Sequence, residues 1–323
     1  MDYPTPPRDG EIHVLPSNEA IKTARSKLLP SLPEHGLGAD HIKAHLRNDI
    51  VPGLNRSSQS PNYYGFVTGG ATPVAAFADN IVTETDQNVQ VHLPHETVST
   101  DVEDRALSMI EKYSSLNAGV AGLELADSIA GDAHKLLNVP YDCGIFLSKH
   151  LDLSTNVFGN PNAAYLNTAS SESTASSDRT IPSPLNVGIE NSRRFRALPV
   201  YATLAAYGRE GYRRMLERQV ELARGIAEYL LQSKGYELLP QPLSREVSDA
   251  ERIGSIYIIV LFRARDDQLN KVLVQRLNAT RRLYVSGTQW EGLPAVRFAI
   301  ANWQADVERD LQLVREVFSD AVS

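Results

Sequence analysis

Residues 132–144 read Asp-Ala-His-Lys-Leu-Leu-Asn-Val-Pro-Tyr-Asp-Cys-Gly, and they decide how the rest of the chain is read. Adjacent His134 and Lys135 sit in a polar turn, and Pro140-Tyr141-Asp142 leads into the apolar run Ile145–Leu147. The spacing predicts strand, tight turn, strand, with a lysine at the rim of a sheet. Desolvation at such a rim disfavours the charged form of a lysine and makes its amine a better nucleophile toward an aldehyde. Taken alone, a lysine is a solvated surface charge, and a His-Lys pair carries little information.

Ala126-Asp127-Ser128 precedes the stretch. With that flank it resembles the cofactor-lysine motif of the group II pyridoxal-dependent decarboxylases, the family of the aromatic-amino-acid, tyrosine, histidine and glutamate enzymes. The resemblance implies pyridoxal 5'-phosphate held by Lys135 as the Schiff-base lysine, with His134 beside it. It also implies electron-sink chemistry on an amino-acid substrate.

Composition bounds the alternatives. The 323 residues suit two modest lobes, and 42% hydrophobic content suits a globular protein. A net charge of −7 argues against a nucleic-acid or anionic-membrane partner. Cys143 is the single cysteine, which fits a reducing compartment. The opening residues hold no signal-peptide core and no run reaches the length of a membrane span, so a cytoplasmic protein is expected.

Along the chain, residues 1–62 read as an N-terminal helical arm. Ser17 caps a helix to about Leu29, and a second short helix spans Gly38–Leu46. The glycine-rich stretch from Tyr63 to Pro73 offers Thr68 and Thr72 hydroxyls and allows close backbone approach. By composition alone it is a turn before a helix; the resemblance makes Phe66 and Thr68 substrate contacts. Val74–Thr83 and His95–Tyr113 read as helices, with Gln87–Leu93 a short apolar alternation between them. His92 and His95 lack a third ligand at useful spacing, so no metal is expected.

Here the resemblance is interrupted. The chain tracks the family's opening section up to about Tyr113 and resumes from about Gly122. In the family, the block between them carries most of the large domain's sheet. That block supplies the phosphate-binding turn at a helix N-terminus, the histidine that stacks on the pyridine ring, and the aspartate that pairs with the ring nitrogen. Asp79, Asp86, Asp101, Asp104, Asp127 and Asp132 do not replace that aspartate, because none lies in an apolar strand of the right type.

Residues 167–184 are rich in serine and threonine and read as a mobile loop. In the aromatic-amino-acid enzymes a loop here carries a proton-donating tyrosine. No tyrosine lies between Asn167 and Arg194, and Tyr165 corresponds to a different family position. Arg193 and Arg194 resemble the family's Arg-Arg-Phe-Arg helix start. They read either as cofactor-site donors to a phosphate or carboxylate, or as members of structural ion pairs. Beyond Val200, a helix over Gly211–Gln232 leads to strands at Tyr236–Leu239 and Ser255–Phe262 and a helix at Asp267–Asn278. Strands at Leu283–Ser286 and Val296–Ala301 and a helix at Asp306–Phe318 complete an arrangement that resembles the family's small domain. Trp290 and Trp303 read as packing residues.

The implied architecture is an α/β chain of the aspartate-aminotransferase-like fold type I. It has a truncated cofactor-binding large domain over residues 63–198 and an α+β small domain over 199–323. The implied activity is that of an amino-acid decarboxylase acting as a homodimer, although this exact chain is expected to be inactive. The alternatives are a non-catalytic partner of a full-length paralogue, or a pyridoxal-dependent aldehyde synthase, which the missing loop tyrosine favours.

Overall fold

The computed structural model describes residues 13–114, 122–159, 181–242 and 247–322. In chain order come helices α1 (Asn18–Ser26), α2 (Ala39–His45), α3 (Pro73–Thr85) and α4 (Ser99–Ser114). Strands β1 (Ser128–Asp132) and β2 (Gly144–Ser148) follow, then helices α5 (Leu151–Phe158) and α6 (Ala197–Gln232). The C-terminal part adds β3 (Tyr236–Leu239), α7 (Asp249–Ser255), β4 (Ile259–Ala264), α8 (Asp267–Ala279), β5 (Ser286–Trp290), β6 (Leu293–Ala299) and α9 (Val307–Val322). The chain divides into two units: Met1–Gly70 with Arg214–Ser323, and Ala71–Arg213.

In the first unit four antiparallel strands make a sheet in the order β3-β4-β6-β5. Strand β4 alternates buried and half-buried residues, the pattern of a strand with one covered face. Leu222, Ile226 and Leu230 of α6, Leu273 and Leu277 of α8, and Val314 and Phe318 of α9 cover that face. At the centre, the rings of Tyr236, Phe262, Phe298 and Phe318 lie between 5.0 and 6.0 Å apart. The Tyr236 hydroxyl donates to the Phe318 carbonyl at 2.8 Å, and burial pushes its pKa up.

Among the boundaries that differ from the sequence expectation, two strand starts in the first unit have a clear physical reason. The strand expected from Ser255 begins at Ile259, because a capping box starts α7: Ser248 and Glu251 bond reciprocally at its N-terminus. The strand expected at Leu283–Ser286 runs Ser286–Trp290 instead. Tyr284 pairs with the N-terminal segment, donating from its N–H to the Asn62 carbonyl and accepting from the Tyr64 N–H. Glu291 and Gly292, at φ 50° and 77°, then form the two-residue turn joining β5 to β6.

The second unit holds the lysine stretch. Thr72 caps α3, and α4 starts at Ser99 because a turn over Leu93–Thr97 takes up the preceding residues. Gln87–Leu93 forms no strand; Asn88 makes a single bridge to Arg194. Helix α6 starts earlier than expected and is interrupted at Gly208 (φ 55°, ψ −170°). Helix α5, which the sequence reading did not anticipate, follows β2 directly.

Strands β1 and β2 pair antiparallel from Ser128↔Ser148 to Asp132↔Gly144, the strand–turn–strand that was expected. Among the described residues no third strand joins them, so they form a two-stranded hairpin. Its neighbourhood is apolar and uncovered: Leu125 is 80% exposed, Phe146 63% and Val157 64%. The junction over residues 115–121 and most of the loop expected at 167–184, with Tyr165, lie outside the described residues.

These burials predict a contrast between the two sheets. Phe262→Ala should lower stability by about 3–5 kcal/mol, whereas Phe146→Ala on the exposed hairpin should cost no more than about 0.5 kcal/mol. Denaturant unfolding followed by circular dichroism measures both.

Candidate functional site

The loop between β1 and β2 closes just beyond the hairpin, where the Ala133 N–H donates to the Cys143 carbonyl at 2.9 Å. Ala133, Val139 and Cys143 are buried and anchor its base. The Lys135 N–H donates back to the Asp132 carbonyl at 3.2 Å. Asn138 then adopts φ 55°, the left-handed region that asparagine tolerates better than most residues. Its backbone N–H and its side-chain amide both donate to the Lys135 carbonyl at 3.4 Å. The Asn138 carbonyl accepts from the Thr72 N–H at 2.9 Å, and the Tyr212 hydroxyl donates to the Leu137 carbonyl at 2.8 Å. Asp142, at φ 67°, turns the chain into β2 and accepts from Arg196 at 2.9 and 3.0 Å.

On this frame Lys135 is half-exposed. Its Nζ lies 2.6 Å from Asp132 Oδ2, with the two side chains 43% and 44% exposed. The hydrogen bond from Lys135 is the main cause holding the Asp132 carboxyl below its ordinary pKa. Any stability this gives is present above the unfolded carboxylate's pKa and is lost as pH falls through the folded value. The His134 ring rests against Tyr141, centroids 5.1 Å apart. Cys143 is buried at the loop's neck, and burial pushes its thiol up to about 11.

The other anticipated residues are engaged elsewhere. Arg193 donates to Glu103 at 2.5 Å and to the Val89 carbonyl at 2.9 Å. Arg194 donates to Asp79 at 2.6 Å and to Thr83 at 3.1 Å. Phe66 and Thr68 belong to the first unit, whereas His134, Lys135, Arg193 and Arg194 belong to the second. Phe66 takes φ 56° with its ring 63% exposed and its N–H donating to Ser286 Oγ at 3.2 Å; Thr68 is buried. The preceding Gly65 is required sterically, because a Cβ there would meet the Tyr284 ring at 2.2 Å. Thr72 spends its hydroxyl capping α3.

Three residues that hold the loop carry no clear sequence signal for that role. Asp132, three residues before the lysine, was weighed only as a ring-nitrogen aspartate, and Tyr212 lies in the expected Gly211–Gln232 helix with no local signal of its bond to Leu137. Asn138 gave no signal beyond its tolerance for turns.

A hollow of about 480 Å³ in the second unit is lined by Leu107, Ile110, Ile145 and Val187, with Glu103 and Arg193 on its wall; Lys135 does not line it. Among the described residues no group of three histidine, cysteine or acidic side chains is arranged to hold a metal ion. No helix among them is long and apolar enough to cross a membrane.

The arrangement fits the covalent anchor of an aldehyde cofactor and does not complete a cradle for one. The amine is accessible on a tied loop. Arg193, Arg194 and Arg196 of the same unit are already paired with carboxylates, and the neighbouring imidazole of His134 lies against Tyr141.

Residues 115–248 match the pyridoxal-dependent decarboxylase conserved domain. An L-2,4-diaminobutyrate decarboxylase of Acinetobacter baumannii is 27% identical over 213 residues, covering 64% of this chain and 38% of the relative. A 3,4-dihydroxyphenylacetaldehyde synthase of Drosophila melanogaster is 26% identical over 193 residues, covering 59% of this chain and 33% of the relative. In these comparisons the chain spans less than half the length of its relatives. The structure of Oryza sativa TDC with PLP and tryptamine superposes with a TM-score of 0.77 at 16% identity, covering 96% of this chain and 93% of that one. That likeness shows the fold, the fold type I expected.

Burial of the loop's neck sets the reactivity of its cysteine. In the native protein Cys143 should resist a disulfide reagent at neutral pH. It should react only as pH nears about 11 or on unfolding, and fast labelling of the native protein at neutral pH would contradict the geometry.

Proposed function

We propose, on the premise that this chain belongs to the pyridoxal-dependent decarboxylase family, that it is built on the plan of an amino-acid carboxy-lyase. Lys135 is the attachment point for pyridoxal 5'-phosphate. The observation that supports this most is the position of Lys135 on a loop tied at Ala133, Asn138 and Leu137, inside the stretch that matches the family domain. The cofactor, when bound, supplies an electron sink for the pair released as an α-carboxylate departs.

The chain's own residues contribute position. Asn138, Thr72 and Tyr212 fix the backbone that presents the amine, and His134 flanks it. Phe66 and Thr68 are the substrate contacts in this reading. Arg193 and Arg194 serve a phosphate or carboxylate only by exchanging Glu103 or Asp79 for it. The ring-nitrogen aspartate, the stacking histidine and the phosphate turn belong to the block missing between about Tyr113 and Gly122. The chain as written therefore attaches cofactor without turning over substrate. We place it as a homodimer in the cytoplasm, acting on a small amino acid when the block is restored, or serving as a non-catalytic partner when it is not.

A second reading, aldehyde synthesis, is favoured by one observation: no tyrosine lies between Asn167 and Arg194. The aldehyde synthase among the relatives supports keeping it.

Treatment of the chain with pyridoxal phosphate followed by borohydride should add the pyridoxyl mass to Lys135, and Lys135→Ala should abolish that label. Carbon dioxide release from amino acids should be absent with this chain and appear when a block encoding a His-x-Asp-x-Ala segment is restored at residues 114–122. Lack of label on Lys135 refutes the anchor, and turnover by the chain as written refutes its incompleteness. Amine or aldehyde among the restored chain's products decides between the two readings.

A further inference from the structure

We infer that Asp132 is the positioning residue for Lys135: its carboxylate holds the lysine's ammonium in the loop, and an electrophile reaches Nζ only when that ion pair opens. The inference rests on the reading of Lys135 as the reactive amine and adds a residue that controls its availability.

The geometry carries it. Nζ and Oδ2 stand 2.6 Å apart, a full charge-assisted hydrogen bond, although both side chains are nearly half exposed. At that exposure, packing does not fix either side chain, so the pair itself orients the lysine. The backbone keeps the partners at bonding range. Asp132 is the last residue of β1, and the Lys135 N–H donates to its carbonyl at 3.2 Å. Asn138 clamps the Lys135 carbonyl from the other side. The backbone thus keeps the two side chains within reach of each other, and the pair opens and recloses by side-chain rotation.

The chemistry follows. An ammonium has no free electron pair, so attack on a carbonyl requires that Nζ first lose a proton to solvent. A carboxylate at bonding distance holds the ammonium in place through a charge-assisted hydrogen bond. It also occupies one direction of approach to Nζ. His134 is the other titratable group acting on the same carboxylate. Exposed pairs are weak enough to open readily, so Asp132 tunes access to the amine without blocking it.

Acetylation by an N-hydroxysuccinimide ester, with peptide mapping at one mildly alkaline pH, reads the availability of Nζ without any cofactor. Asp132→Asn should raise the labelling rate of Lys135 about two- to fivefold, while Asp132→Glu should stay near the unsubstituted chain. Lys271, exposed on α8, should label equally in all three. Added salt should speed Lys135 labelling in the unsubstituted chain toward the Asp132→Asn rate and leave Asp132→Asn unchanged. If Asp132→Asn fails to fold, the salt dependence of the unsubstituted chain decides. Equal Lys135 rates with and without the Asp132 carboxylate, or no salt dependence in the unsubstituted chain, would overturn the assignment. Pyridoxal phosphate and borohydride on the same proteins separates the two readings. Faster acetylation with no pyridoxyl on Lys135 in any variant keeps the role of Asp132 and removes the cofactor.

Discussion

The clamp at Asn138 is the constraint on which the site depends. One residue in a left-handed conformation sends two donors to the Lys135 carbonyl and offers its own carbonyl to Thr72. That conformation costs about 1 kcal/mol or more outside glycine, and it persists because the surrounding bonds determine it. Tyr212 adds a third tie at Leu137. A lysine on an untied loop would sample many positions; here the backbone on both sides of it is held, and Asp132 sets the side chain.

The same clamp explains how the lysine stays placed in a unit whose described strands form only a two-stranded hairpin. A two-stranded hairpin is marginal in water, and three or more strands or a helix packed on them are needed for independent stability. Strands β1 and β2 have no third partner among the described residues, and Phe146 and Leu125 lie largely in solvent. The loop is instead fastened to the N-terminus of α3 through Thr72 and to α6 through Tyr212, two elements outside the hairpin. The first unit shows the opposite economy. Its sheet is complete at four strands and is covered by α6, α8 and α9 around Tyr236, Phe262, Phe298 and Phe318.

Much of this was legible in the sequence, for identifiable reasons. The hairpin around Lys135 followed from Pro140-Tyr141-Asp142 and the apolar run after it. The C-terminal helices followed from their apolar spacing, because a periodic face long enough to bury is a strong local signal. Ser248 and Glu251 spell a capping box that was passed over, which misplaced the start of β4. The Ser286–Trp290 strand was missed because Tyr284 pairs with a segment more than two hundred residues away in sequence, and no local pattern reports such a partner. The reading of Lys135 rests on its motif, whereas Arg193 and Arg194 could be read two ways. The structure gives each a carboxylate that the sequence could not assign, Glu103 and Asp79, because both partners come from distant helices.

The central claim is that ties from α3 and α6, and not a sheet, hold the lysine loop. Amide hydrogen exchange in the native chain tests it most directly. The account predicts that the Thr72 and Ala133 amides, bonded to the Asn138 and Cys143 carbonyls, are protected to the level of the α3 helix amides, while the outward-facing amides of β1 and β2 exchange freely. Exchange of Thr72 and Ala133 at the rate of an unstructured loop, or protection of the hairpin's outer edges equal to that of β4 and β6, would contradict it.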